Sequence, residues 1–229
     1  MLLVVALAAL GVWIAREALT WPDVGALARG NPRSTAFIDR HRAEQRAAGR
    51  DTRVAWTWVP YLAVSAHLKR AVVVAEDIAF FSHRGFELTE MRDALARALE
   101  DRELPRGAST ITQQLAKNLW LSASRTPLRK LREAALTWQL ERTLDKRRIL
   151  ELYLNVAEFG PGVYGAEAAS RRYFGKPAAA LDEAEAARLA ASLPAPRHWH
   201  PGSGSRAAEE HAARIRRRMT RAHFLWKHI

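Results

Sequence analysis

Two neighbouring acids, Glu76 and Asp77, close the apolar run Ala71, Val72, Val73, Val74, Ala75 and are followed by Phe80, Phe81 and His83. A carboxylate at the C-terminal end of a helix meets the unfavourable end of the macrodipole. Beside aromatic walls it is also partly desolvated, which raises a carboxylate pKa and suits it to take a proton near neutrality. A solvated helix end is the alternative. A second group, Gly107-Ala108-Ser109-Thr110-Ile111-Thr112-Gln113-Gln114, sets Gln113 three positions after Thr110. That spacing is a capping box, which by itself is a sufficient, purely structural account. A helix N-terminus ringed by hydroxyls also takes phosphate oxygens, and Lys117, one turn beyond Gln113, adds a positive charge on the same face. A third group, Arg129, Lys130 and Glu133, shares one helix face. A surface ion-pair ladder, worth roughly a few tenths of a kcal/mol per pair, explains that spacing without any catalysis.

The elements that must position these groups are nearly all helical. Ser65 caps a helix whose apolar run is buried on all sides. A second helix is expected over Leu88 to Leu99, and Pro105, Arg106 and Gly107 break the chain before a third opens near Ser109 or Thr110. Thr126 followed by Pro127 starts a long helix towards Thr143. Another covers Lys146 to Asn155, and Asp182 caps an Ala-rich helix that Pro194 ends. Strand-like alternation is scarce, so the fold class is mainly α. Trp21 to Asp51 carries Pro22, Gly25, Gly30, Asn31 and Pro32 and reads as a connecting segment with little helix of its own.

The chain has 229 residues, 48% of them hydrophobic, enough for one compact domain and a short anchor. It has no cysteine, which excludes disulfides, thiolate metal sites and thiol nucleophiles. Lys and Arg exceed Asp and Glu by 36 to 24, a net charge of +12, which favours nucleic acid, anionic lipid or phosphorylated substrates without choosing among them. Met1 to Ala15 carries no charged side chain, and Arg16 closes the run. As a helix it spans roughly 22 Å, against a hydrocarbon core of about 30 Å. With no basic n-region and no convincing cleavage site, it reads as a transmembrane anchor that a few upstream residues would complete, a buried N-terminal helix being the alternative. The expected organisation is an anchor over 1–16, a linker or entry segment over 17–51, a catalytic domain over 52–205 and a basic C-terminal helix over 206–229.

Taken together, these pieces resemble one family in their order and spacing. Glu76-Asp77-x-x-Phe80-x-x-His83-x-Gly85 looks like the first signature of the peptidoglycan glycosyltransferases (glycosyltransferase family 51), the catalytic domain shared by bifunctional penicillin-binding proteins and monofunctional transglycosylases. Gly107-x-Ser109-Thr110-Ile111-Thr112-Gln113-Gln114 with Lys117 and Asn118 resembles the second. Arg125-Thr126 and Arg129-Lys130-x-x-Glu133 resemble the third. Lys146-x-x-Ile149-Leu150-Glu151-x-Tyr153-Leu154-Asn155 is similar to the fourth, continued by Gly160, Tyr164-Gly165 and Tyr173-Phe174-Gly175-Lys176, and Leu193-Pro194 with Pro196 matches the closing segment. No transpeptidase domain follows, so the chain reads as monofunctional.

The resemblance implies a lysozyme-like, mainly helical fold with a membrane-hugging jaw. It implies a single-pass protein of the bacterial inner membrane with its catalytic domain in the periplasm. The substrate would be lipid II and the growing lipid-linked strand. Penicillin-binding proteins and division or elongation proteins would be partners, and nucleic acid would not. By position Glu76 would be the general base and the catalytic Glu133 would serve electrostatically beside the donor. Lys117 and Arg125 would hold the pyrophosphate. Asp77, Phe80, His83, Ser109, Thr110, Gln113, Gln114, Asn118, Arg129 and Lys130 would complete the substrate-binding wall. No tightly bound cofactor and no dedicated metal ligands are expected; Mg²⁺ or Mn²⁺ would be shared with the substrate pyrophosphate. One departure stands out: many relatives carry a basic residue where this chain has Asp93, with Arg92 one step earlier, and one step rotates a helical side chain by about 100°.

Two rival readings give different chemistry. A lytic transglycosylase would cleave strands and would leave the Ser-Thr-Ile-Thr-Gln-Gln segment and its cations without a leaving pyrophosphate to hold. A tethered binding protein would use Arg214, Arg216, Arg217, Arg218 and Arg221, with Ile215, Met219, Phe224, Leu225 and Trp226, as a basic amphipathic helix. The simpler account of that helix is packing on the domain with a solvated basic face.

Overall fold

The computed structural model describes residues 19–87, 109–124 and 126–229, together with positions 11, 12, 17 and 92. The helices are α1 (Ala26–Arg29), α2 (Ala36–Ala47), α3 (Ala66–Glu76), α4 (Ile111–Trp120), α5 (Pro127–Thr143), α6 (Lys146–Val156), α7 (Ala166–Phe174), α8 (Glu183–Ser192), α9 (Pro196–Trp199) and α10 (Arg206–Met219). A three-stranded sheet joins β1 (Ala55–Trp56), β2 (Glu158–Gly160) and β3 (Val163–Tyr164) in the order β1-β3-β2. β1 runs parallel to β3, and β2 runs antiparallel to it.

Helix α3 lies at the centre. Leu68 and Ala71 through Val74 have no exposed surface. Even its two cations are buried: Lys69 Nζ donates to Tyr61 O at 3.2 Å and lies over the Tyr61 ring, and Arg70 Nη2 donates to Met219 O at 2.8 Å while its guanidinium stacks on Trp226. Helices α8 and α10 pack against α3, and α4 packs against α2, α5 and α6. Each fully buried Leu, Ile or Val here stabilises the fold by roughly 1.5–3 kcal/mol. On α10 the buried residues Ala208, Ala212, Ile215 and Met219 recur at helical spacing, so the basic C-terminal helix is packed on the domain with its arginines outward.

The helix starts lie where the capping residues predict. Ser65, Thr110, Thr126 and Asp182 each accept a hydrogen bond from a backbone N–H in the first turn of the following helix. The segment read as a connector differs from expectation. It contains α2, a 12-residue helix capped by Thr35 and anchored by buried Ile38 and His41. Its apolar stripe is too sparse to register as periodicity, and packing on α4 supplies the stability that propensity does not.

Behind the site, Asn155 ties three elements together. Its side chain accepts from Val59 N–H at 2.9 Å and donates to Val59 O and Glu151 O, while its carbonyl accepts from Trp56 Nε1 at 2.7 Å. Gly165, at φ +81°, passes so close that an added Cβ would sit 2.7 Å from Asn155 O.

The expected anchor over 1–16 lies outside the described residues, positions 11 and 12 apart, as does the helix expected over Leu88 to Leu99, Arg92 apart. Among the described residues no helix is long and apolar enough to cross a membrane.

Candidate active site

Glu76 is the last residue of α3, and Asp77 leaves the helix in extended backbone. The Asp77 carboxylate accepts from the N–H of Ile111, the first residue of α4, at 3.0 Å and from His83 Nε2 at 2.9 Å. His83 Nδ1 in turn accepts from Gly85 N–H at 3.0 Å. That bond fixes the tautomer: the ring proton sits on Nε2 and is donated to Asp77. Thr110 Oγ1 closes the loop by donating to Gly85 O at 2.7 Å. The first two sequence groups are therefore welded together by their own polar side chains, with a carboxylate at the positive end of α4.

The capping box exists as spaced: Thr110 accepts from Gln113 N–H, and Gln113 Oε1 accepts from Thr110 N–H at 3.0 Å. Thr110 and Gln113 are both buried, so their visible work is holding α4, while Ser109 is exposed. Phe80 is placed differently from expectation. It has no exposed surface, packs edge-on against Phe81 and carries Lys146 Nζ 4.4 Å from its ring centre, which makes it a core residue beneath the site and not a wall of it.

Glu76 itself is half-buried. Its Oε2 accepts from Gln114 Nε2 at 2.8 Å, and Gln114 Oε1 accepts from the Tyr153 hydroxyl at 2.8 Å. Burial pushes the Glu76 carboxyl above its ordinary value. The Gln114 bond and the charge of Lys117 oppose that shift, Asp77 adds to it, and Arg218 pulls it down. Burial likewise pushes the Lys117 ammonium down. Glu133 resists this, Arg129 and Lys130 reinforce it, and Glu76 resists it, so Lys117 feels both glutamates at once. Glu133 is 2% exposed and is clasped by Arg129 at 2.6 Å and by Lys130. A surface ladder is excluded by that burial. Asn118 is buried beside the same cleft, and Arg125 lies outside the described residues.

Two hollows are lined by members of this relay. One of about 220 Å³ is lined by Glu76, Asp77, Ser109, Thr110 and Arg218; the other, about 440 Å³, is a cleft lined by Gln114, Lys117, Asn118, Tyr153, Glu158 and Arg197. Arg218 and Tyr153 are site residues that the sequence reading left without a role. The buried stripe of α10 could have flagged Arg218, which lies three residues after Ile215 at the stripe's edge. Nothing in the sequence signals that Tyr153 orients an amide. If the phenol does so, Tyr153→Phe frees Gln114 and weakens its bond to Glu76. Because that bond lowers the Glu76 pKa, the acid limb of the pH–rate profile should move to higher pH, with little change in melting temperature. An unmoved limb removes the orienting role.

Among the described residues no cluster of His, Asp and Glu could hold a metal ion. The Asp77 carboxylate is engaged by Ile111 and His83, and that of Glu133 by its two cations.

The Transglycosylase family model matches residues 42–220. A biosynthetic peptidoglycan transglycosylase of Thiobacillus denitrificans is 48% identical over 208 residues, covering 91% of this chain and 87% of the relative. One of Azoarcus sp. is 49% identical over 212 residues with the same coverage, and one of Chromobacterium violaceum is 41% identical over 95% of this chain and 92% of the relative. With the family model matched over residues 42–220 and relatives of 48–49% identity covering about nine-tenths of its length, the chain belongs to the transglycosylase family.

Proposed function

We propose that this protein is a peptidoglycan glycosyltransferase that polymerises lipid II into β-1,4-linked glycan strands and releases undecaprenyl pyrophosphate. The observation that carries the reading is Glu76, its carboxyl pushed up by burial yet held in place by Gln114 and faced by Lys117. A carboxylate tuned towards neutrality is a competent general base. In this reading Glu76 takes the proton of the acceptor sugar's 4-hydroxyl. The oxygen then attacks C1 of the donor sugar with inversion, and the bond from C1 to the pyrophosphate oxygen breaks.

Charge builds on the departing pyrophosphate, so fixed cations in a desolvated wall lower the barrier. Lys117 and Arg129 suit that work, and Arg129 Nε has no hydrogen-bond partner among the described residues. Glu133 keeps Arg129 and Lys130 in register. Any divalent cation would arrive with the pyrophosphate, and no step here depends on one. Lys117→Ala is expected to lower turnover by about a hundredfold or more, read as initial rate at saturating lipid II; an unchanged rate argues against its role.

Action at a bacterial inner membrane, with the domain on the periplasmic side, is part of the proposal. It is supported by exposed Leu128, Leu131 and Trp138 on α5 and by the docking of the segment after the expected anchor on that helix. There Arg132 pairs with Glu17 at 3.0 Å, and Trp21 Nε1 donates to Gln139 at 2.8 Å. An apolar patch beside an N-terminal anchor suits entry of a lipid-linked substrate.

The deciding experiment incubates purified protein with fluorescent lipid II and Mg²⁺ and resolves the products on a gel. A ladder of long strands supports the proposal. Untouched lipid II together with shortening of preformed glycan would favour a hydrolase.

A further inference from the structure

The 440 Å³ cleft carries polar groups that the mechanism above does not use. Glu158 opens β2 directly after α6, and the bulge between Glu158 and Gly160 turns its side chain relative to a regular ladder. The side chain is 8% exposed, and its Oε1 has no hydrogen-bond partner among the described residues. Arg197 Nε is 3.7 Å from that oxygen, too far for a hydrogen bond, because Arg197 is drawn to Glu44 by a 2.9 Å bond from Nη2. Arg40 Nη1, on the same wall, is also buried without a partner. Buried polar atoms are nearly always satisfied, so an acceptor and a donor left without partners on two residues that line one cleft and feel each other's charge are matched to something that enters the cleft.

We propose that Glu158 and Arg40 form a recognition subsite for an acylated amino sugar of the substrate. The amide N–H of the sugar donates to Glu158 Oε1, and its carbonyl accepts from Arg40 Nη1. An acylamino group offers one donor and one acceptor close together, which is the complement of what the wall leaves open. Phe37 and Pro196 border the same wall and give the acyl carbon an apolar neighbour. Burial pushes the Glu158 carboxyl up, Arg197 and Arg40 pull it down, Glu44 adds to the rise and the Gly162 backbone N–H opposes it, which leaves Oε1 as the oxygen without a partner among the described residues. The subsite shares its cleft with Gln114, which holds Glu76, and with Lys117.

This inference rests on the glycosyltransferase reading, and the test separates the two. Initial rates are measured against lipid II concentration for the full chain, Glu158→Ala and Glu158→Gln, with melting temperature recorded for each. Glu158→Ala is expected to raise KM about tenfold with kcat within about twofold, as for loss of one charge-assisted hydrogen bond to substrate. Glu158→Gln keeps an acceptor oxygen without the charge and is expected to raise KM about threefold. Unchanged KM in the folded variants, or a loss confined to kcat, overturns the subsite. Should Glu158→Ala unfold, Glu158→Gln decides by the same criterion; if both unfold, the role is structural and the proposal fails. A wild type that leaves lipid II unpolymerised overturns the function and the subsite together, whereas an active wild type beside variants of normal KM overturns the subsite alone.

Discussion

Glu76→Gln is expected to lower polymerisation by about a hundredfold or more, the scale on which general-base catalysis operates, while the fold survives. Glutamine fills the same volume and keeps an oxygen to accept from Gln114 Nε2, so the relay from Tyr153 stays intact. What it loses is basicity. The same substitution should leave the protein no less stable at neutral pH, and the sign follows from burial. The Glu76 carboxyl is pushed above 4.5 in the folded chain, so between that value and its raised one the native state binds more protons than the unfolded state. Stability therefore falls as pH rises through that window, and an uncharged glutamine escapes the loss. Initial rates on lipid II and thermal melting at pH 7 test both halves. Turnover near wild type would remove Glu76 from the role of base, and a large drop in melting temperature would show that its charge is structural.

Asp77→Ala should be the most destabilising single change around the site, at about 2–6 kcal/mol for two stranded donors. The carboxylate is 3% exposed and serves two buried partners, Ile111 N–H and His83 Nε2. Truncation strands both, and each stranded donor costs about 1–3 kcal/mol. A domain stable by about 5–15 kcal/mol loses much of its margin, and α4 keeps only the Gln114–Glu76 bond of the two polar links described between it and the end of α3. Asp77→Asn discriminates further. Its oxygen can still accept from Ile111, but its amide N–H₂ then faces the proton on His83 Nε2. The ring cannot switch tautomer, because Nδ1 must accept from Gly85 N–H. Asparagine should therefore recover only part of the loss. Urea unfolding of the three proteins measures it, and an alanine variant within about 1 kcal/mol of wild type would show that solvent satisfies both partners.

Several features were legible before any coordinates. A helix start is decided by one capping side chain and the backbone two or three residues away, so Ser65, Thr110, Thr126 and Asp182 announce their helices locally. The run Ala71 to Val74 reads as buried because no polar face interrupts it. The order and spacing of the motifs carried the resemblance, and family membership agrees with it.

What tertiary structure alone decided is where side chains point and how deeply they lie. Phe80 and Gln114 look equally functional as motif letters, yet one packs in the core and the other holds the Glu76 carboxylate. Glu133 has the spacing of a surface ladder, and only the packing around α5 shows it buried. Helix α2 escaped notice because its stability comes from α4, not from its own residues. Arg218 and Glu158 reach the site from elements far along the chain, and no local spacing encodes that convergence. Local periodicity and capping are properties of neighbouring residues and are written in the sequence; burial, and the desolvation that tunes Glu76, belong to surfaces that meet only when the chain has folded.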